Sequence, residues 1–434
     1  MSISSTNLLF TLTVLVLLTV LTPAAVLAGG LTMYEIGTSD TGYASAGYAA
    51  RAGDPGTILT NPAGMTHLKE SQFLIGGHLL YGHGNFSPDR VTTNVYGSDG
   101  GNAIGLLPSL SAFGTYKVND DLTLGFGMCS NFGLGLWYDS NWVGRYYAKE
   151  AILMGMSFLP AAAYRITDQF SVGVALNVML GYFNTKVAIN NVAPLNPTYP
   201  DGELDLKDTT VGVGGNVGLM YELSKGTRFG VTYSSPVKLN FSATPEFNTL
   251  SPLVAALLLN RGTYFKEIDL GMTVPQSVMV SFYHELNDQW ALLGNFGWQD
   301  WSKFGEIEVS IESPTLTTKL NYNDTWHGAL GAQYRLSEPW LLTGGVAYDS
   351  SMMDVSNRSP ALPVGWSWRF AAGAQYALSK TAQLGLAYEY MYSGNPEISK
   401  SENIPLALGG RGNLNGSYPN SSIQFFSANV TWKF

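Results

Sequence analysis

From Ser71 to the C-terminus the chain alternates apolar with small or polar residues, in stretches of roughly ten. The last stretch is the clearest. Phe426, Ala428, Val430, Trp432 and Phe434 fall on one face, and Phe425, Ser427, Asn429, Thr431 and Lys433 fall on the other. A period of two is what an extended strand imposes. The same period sets Val172, Val174, Leu176, Val178 and Leu180 opposite Ser171, Gly173, Ala175 and Asn177. Two further faces are Trp366, Trp368, Phe370, Ala372, Ala374 and Tyr376, and Leu384, Leu386, Tyr388, Tyr390 and Tyr392. Their aromatics suit the interfacial girdle of a membrane sheet. A soluble sandwich also alternates, but it turns its apolar face inward and seldom needs so many aromatic rims.

The connections sort into two kinds. Tight polar turns occur at Asn119-Asp120-Asp121, Thr167-Asp168-Gln169, Ser224-Lys225-Gly226, Asn287-Asp288-Gln289, Ser337-Glu338-Pro339 and Ser379-Lys380-Thr381. Longer, irregular segments lie between them. Short turns at one end and long loops at the other are the arrangement of an outer-membrane barrel, and six turns with about seven loops imply about fourteen strands. Composition agrees. Charged residues make up 13% of the chain, with 49 glycines, and no internal stretch is long and apolar enough for a spanning helix. Low charge without spanning helices leaves a closed sheet with an apolar outer face. The expected fold is therefore all-β, a transmembrane antiparallel barrel over residues 71–434.

The first residues predict export. Leu8 to Leu21 is apolar, Pro23 follows, and Val26-Leu27-Ala28 supplies small residues for cleavage after Ala28. Residues 1–28 thus read as a cleaved signal peptide, and the mature chain begins at Gly29. Residues 29–70 are rich in Gly, Ala, Ser and Thr and lack sustained alternation, so they are not barrel strands. Between Pro245 and Gly271, Ser251-Pro252 opens a short helix that Arg261-Gly262 ends. Leu253 and Leu257 share one face of it, and Val254 and Leu258 another. A helix apolar almost all round is odd in a loop. It either captures an apolar ligand or packs under a neighbouring loop such as Asn190 to Asp208.

Several segments resemble the FadL/TodX family of long-chain fatty acid transporters. Residues 29–65 read GGLTMYEIGTSDTGYASAGYAARAGDPGTILTNPAGM and look like the family's N-terminal hatch, with Asn61-Pro62-Ala63 matching its NPA motif. Asn131-Phe132-Gly133-Leu134 and Trp142-Val143-Gly144-Arg145-Tyr146 resemble the family's third strand and second outer loop. Ser235-Pro236-Val237-Lys238-Leu239, Asp300-Trp301-Ser302-Lys303-Phe304 and Asn357-Arg358-Ser359-Pro360 follow in order, and Phe434 resembles a terminal assembly signal.

The resemblance implies a monomeric fourteen-stranded barrel plugged by a hatch at residues 29–70, among the lipids of a bacterial outer membrane. It implies uptake by diffusion. Outer loops capture an apolar molecule, a pocket beside the hatch receives it, and it leaves sideways through a kinked third strand. The resemblance places a ligand contact at Leu31, with Met33 and Tyr34 following it, and the apolar loop helix adds Leu253, Leu257 and Leu258 as candidate contacts. The kink falls at Asn131, Phe132 and Gly133, where Gly125, Gly127, Gly133 and Gly135 crowd one strand. Leu31, Met33 and Tyr34 also fit ordinary packing of the hatch.

A long-chain fatty acid is the expected cargo. Its carboxylate calls for a lumenal cation, yet the matching positions on the strand from Lys319 to Leu336 and on the strand after Phe170 hold Asn323 and Tyr182. Lys319, Arg335 and Arg369 are the other cations considered. Aromatic hydrocarbons, which need no cation, are the alternative cargo. A general porin and an outer-membrane hydrolase are the other classes weighed. Porins are wider and unplugged. His78 and His83 lie near each other, but no motif pairs them with a specific Ser or Asp, and no further zinc ligand falls at plausible spacing. A net charge of −9 argues against nucleic acid, and the single Cys129 allows no intrachain disulfide. No cofactor or metal is expected.

Overall fold

A computed structural model describes residues 31–434 apart from 192–199, 261–263, 311–315, 402 and 404. The expected signal peptide, its cleavage site and the Arg261-Gly262 stop lie outside the described residues.

Fourteen antiparallel strands close into a barrel. In chain order they are β1 (Gln72–His83), β2 (Gly105–Lys117), β3 (Leu122–Trp137), β4 (Glu150–Arg165), β5 (Phe170–Ile189), β6 (Gly202–Ser224) and β7 (Thr227–Ser234). They continue with β8 (Ser277–Glu285), β9 (Trp290–Gln299), β10 (Thr325–Ser337), β11 (Trp340–Asp349), β12 (Ser367–Ala377), β13 (Ala382–Tyr392) and β14 (Ser422–Lys433). Each strand pairs with its sequence neighbours, and β14 pairs with β1 to close the ring. All six polar turns expected from the sequence are found, at one end of the barrel.

The alternation resolves as apolar outside and small or polar inside. Phe296, Leu330 and Leu386 are more than half exposed on the outer wall, while Ser427, Asn429 and Thr431 are buried inside. Ring closure pairs each strand along most of its length, as a strand in lipid requires. Cross-strand aromatic pairs mark the rims: Trp290 with Tyr334, Trp340 with Tyr376, and Phe73 with Trp432 near the short turns. Tyr348 with Trp368 and Phe296 with Trp326 lie nearer the long loops.

After β7 the chain leaves the wall at Ser235-Pro236. Ser235 exchanges hydrogen bonds with Gly215, and the following strand, Val237–Ala243, pairs instead with Ile268–Val274 in a second, four-stranded sheet. Val237, Leu239 and Phe241 are buried there. This sheet corrects two expectations. The strand expected from Lys319 to Leu336 is split: Leu316–Lys319 belongs to the small sheet, and β10 starts only at Thr325. Asn323 therefore lies exposed ahead of the strand, its N–H donating to the Met352 carbonyl, and is no lumenal position. Tyr182 shares the outward register of Val174, Leu176 and Leu180 on β5, so it faces away from the lumen.

Candidate functional site

Residues 31–71 fill the lumen as short helical turns. The sequence permits this because the hatch offers Ala, Ser and Gly to the wall, and the wall offers glycine back. A Cβ at Gly345 on β11 would lie 1.8 Å from the Tyr43 carbonyl oxygen, and one at Gly230 on β7 would lie 1.8 Å from that of Ala49. Asn61 locks the far end of the hatch. Its amide nitrogen donates to the carbonyls of Ala49 (2.6 Å) and Leu219 on β6 (3.0 Å). Its Oδ1 accepts from the Ala63 N–H (3.1 Å), and Pro62 opens the turn that follows. Ala63 is fully buried.

The start of the hatch meets β3. The β3–β4 register slips by one residue between Ser130 and Phe132, leaving Asn131 as a bulge. The freed backbone pairs with the hatch: Met33 N–H donates to the Asn131 carbonyl (2.9 Å) and Gly133 N–H to that of Leu31 (2.7 Å). Ser157 Oγ donates to Asn131 Oδ1 (2.8 Å). On its other side β3 pairs with β2 only from Thr123 to Cys129. Beyond Ser111, β2 parts from β3, and the Trp137 N–H next meets this side at the Ala103 carbonyl (2.8 Å). The wall thus carries a gap between β2 and β3 beside the bulge. A hollow of about 1400 Å³ runs from there along the outer wall, lined by Pro108, Leu110, Phe126, Met128, Ser130 and Met156 among others. The register slip falls at Asn131, and the glycine argument needs correction. Gly125 and Gly127 precede the bulge; a Cβ at Gly125 would meet Met65 Sδ at 2.6 Å and Ile58 at 3.0 Å, so this glycine admits the hatch.

Leu31 and Met33 are buried in one cluster with Phe132, Leu136, Met179, Trp301 and Phe304. Trp301 stacks on Phe132 at 6.4 Å, and Phe304 meets the same ring edge-on at 6.1 Å. Both come from the short helix Trp301–Phe304 after β9, held by the Trp301 Nε1–H bond to Gln299 Oε1 (2.7 Å). Tyr34 points the other way. Its hydroxyl accepts from Gln299 Nε2 (3.0 Å), and its ring lies 4.4 Å from that of His327.

Behind Tyr34 lies a buried ionic cluster that the sequence reading missed. Arg369 on β12, fully buried, donates through Nε to Asp349 (2.8 Å) and through Nη1 to Glu389 (3.2 Å) and to Glu35 of the hatch. Asp349 Oδ1 lies 2.7 Å from His327 Nδ1, and His327 Nε2 lies 2.8 Å from Ser45 Oγ of the hatch. Arg369 is thus committed to three carboxylates, and Ser45, His327 and Asp349 fall in triad order. The amides near Ser45 are already used, however. Ser45 N–H donates to the Asp40 carbonyl, Ala46 N–H to that of Tyr43 and Gly47 N–H to Asn295 Oδ1, so no oxyanion donor is free beside the hydroxyl. The cluster is built as a tether. Its trace in the sequence was Asp349, Arg369 and Glu389 at inward positions of apolar strands, where a charge is costly unless paired. His78 finds Ser427 (2.8 Å), whereas His83 is exposed.

The loop helix forms at Pro252–Asn260, with the Val254 N–H donating to Ser251 Oγ (3.3 Å). Leu253 is half exposed and Leu258 partly buried, and the side chain of Leu257 lies outside the described ones. Ser251 is tied to Asn191 of the neighbouring loop by two hydrogen bonds. The helix is not brought to Leu31 and Met33: neither Leu253 nor Leu258 joins their cluster.

A closed fourteen-stranded barrel with a lumenal plug and a breached wall is an outer-membrane transport barrel. Comparison with known proteins specifies it further. Residues 19–434 match the family described as outer membrane protein transport protein (OMPP1/FadL/TodX), and the chain belongs to that family. It is 28% identical to outer membrane protein P1 of Haemophilus influenzae, over 84% of this chain and 86% of that protein. It is 26% identical to a long-chain fatty acid transport protein of Escherichia coli O6:H1, over 91% and 94%. The crystal structure of a Pseudomonas aeruginosa FadL homologue superposes with a TM-score of 0.81 at 19% identity, covering 93% of this chain and all (100%) of that one. The Pseudomonas putida toluene transporter TodX superposes at 0.64 with 16% identity, over 91% and 99%.

Proposed function

We propose that this protein carries small hydrophobic molecules passively across the outer membrane, leaving the barrel sideways between β2 and β3. The observation that carries the reading is the junction at Asn131, where one bulge frees the backbone of β3 to pair with the first residues of the hatch beside a break in the wall. In this reading cargo lands on the apolar loop helix through Leu253, Leu257 and Leu258 and moves to the cluster at Leu31 and Met33. It passes Phe132 and enters the membrane through the hollow on the outer wall. An apolar molecule moves downhill along such a path because each step keeps its surface from water. The hatch seals the lumen against ions throughout.

Long-chain fatty acid is the first cargo, supported by sequence relatives of that name spanning nearly the whole chain. The cluster around Arg369 supports a second: its guanidinium already serves three carboxylates, whose negative charge disfavours a further anion, and this favours uncharged hydrocarbons. Binding of a spin-labelled long-chain fatty acid to the purified protein, with toluene and naphthalene as competitors, separates the two. Tight fatty acid binding that Leu31→Asp abolishes supports the first cargo. Weak fatty acid binding with displacement by aromatics moves the assignment to the second. Binding of neither, together with steady ion conductance, leaves a porin and sinks the carrier.

A further inference from the structure

We propose that the short-turn mouth of the barrel holds a separate anion site, taking a small organic or inorganic molecule with at least two carboxylate or phosphate groups. A cavity of about 420 Å³ lies there between hatch and wall, at the size where pockets begin to hold whole molecules rather than single ions. Five cations line it, Arg51, Arg228, Arg335, Lys380 and Lys433, against the single carboxylate of Glu338. The chain as a whole carries −9, so the lining of this cavity reverses the sign of the molecule.

Arg335 and Lys433 are not turned towards lipid headgroups. Arg335 sits between outward-facing Tyr334 and Leu336, and Lys433 follows outward-facing Trp432, so strand alternation turns both into the lumen. Nor are most of the five cations spent on the protein. Arg51 is paired with Asp40. Arg228 donates to the carbonyls of Ala50 and Arg51 and lies 3.9 Å over the Tyr283 ring, with no carboxylate in ion-pair contact. Glu222 and Glu285 act on it only from further away; Glu285 accepts from the Tyr283 hydroxyl, and Glu222 faces His67. Among the described residues, the side chains of Arg335, Lys380 and Lys433 have no hydrogen-bond or ion-pair partner.

The neutral floor of the cavity is closed off. Tyr43 donates to Gln333, Gln333 to Tyr283, and Gln383 to Gln375. Recognition therefore falls to charge. Cations without a carboxylate partner stand on four separate elements (β7, β10, the β12–β13 turn and β14), Arg335 and Lys380 exposed and Arg228 and Lys433 half-buried, so a ligand with more than one anionic group fits them best. Because Arg228 is already bonded to the hatch backbone, an anion held here would bridge plug and wall. The site is remote from the gap at Asn131 and does not depend on what the cargo is.

Isothermal titration of the full-length protein in zwitterionic detergent, at ionic strength fixed with chloride, tests this with citrate and inorganic pyrophosphate as probes. The expected result is saturable one-to-one binding of at least one probe, the tighter assigning carboxylate or phosphate chemistry. Affinity should fall by about tenfold or more in R335Q/K380Q/K433Q, since three attractions at close range are removed, with hydrophobic cargo binding unchanged. Absence of saturable heat from both probes, or equal affinity in the triple variant, overturns the site. Should the triple variant not fold, Arg335→Gln and Lys433→Gln are titrated singly, and wild-type affinity in both overturns it as well.

Discussion

Arg369→Gln asks whether one cation pins the plug. The guanidinium is fully buried and bonded to Glu35 of the hatch and to Asp349 and Glu389 of the wall. Glutamine keeps much of the volume and removes the charge, leaving three carboxylates facing one another. Breaking a buried ion pair by removing one partner costs about 3–5 kcal/mol, and proton uptake by the carboxylates returns part of that. With about 1.4 kcal/mol per factor of ten, hatch opening should become roughly a hundredfold more frequent. Hydrogen exchange of the detergent-solubilised protein reads this directly, with barrel amides as internal reference. Hatch amides from Leu31 to Ala50 should exchange faster by about that factor while β10 to β13 keep their protection. Adding Glu35→Gln should cost less than the two single changes summed, because both act on one network. Wild-type protection of the hatch in Arg369→Gln would refute the tether, and equal loosening of the barrel strands would make the residue a general wall support instead.

Two further outcomes follow from the hatch. His67, at its short-turn end, is held neutral with its pKa lowered from 6.5 to about 4, first by burial and then by Arg228 and Arg165. Glu222 at 3.7 Å does not reverse this. The unfolded chain therefore takes up the extra proton, so this contribution is complete above pH 6.5 and is lost as pH falls through about 4. It amounts to something on the order of 3 kcal/mol, and His67→Gln should flatten the acid limb of the melting-temperature profile between those values. An unchanged limb assigns the acid loss elsewhere. Gly345→Val places a side chain against the Tyr43 carbonyl; the barrel should still insert, but with its plug displaced it should pass ions in planar bilayers where the wild type passes almost none. Silence in the variant contradicts the fit.

The wall was legible in the sequence because its two faces meet different solvents, and a period of two records that at every strand. The turns were legible for the same reason, being short and polar. Positions that depend on which strands meet inside the barrel were not. Asn323 and Tyr182 were placed in the lumen by counting along strands, but the chain leaves the wall at Pro236 and forms a second sheet, which moves the start of β10 and puts Asn323 in a loop. The bulge at Asn131 lies in a stretch already marked by Asn131-Phe132-Gly133, whereas the glycines before it answered to Ile58 and Met65 from a distant segment. The ionic cluster joins Glu35 and Ser45 to residues nearly three hundred or more positions away. No local pattern encodes such a contact; only charge at an inward strand position hints at it.

The most direct test of the lateral route is deletion of Asn131. Removing the one extra residue lets β3 and β4 pair without a slip and takes away the backbone that now holds Leu31 and Met33. Uptake of radiolabelled oleate and of toluene should be measured in cells lacking their own carrier, with the amount of folded barrel matched by heat-modifiability on gels. The account predicts that uptake of the transported compound falls to the background of cells without the protein, while ligand still binds to the purified variant. Uptake at the wild-type rate through the unkinked barrel would contradict it and place the exit elsewhere.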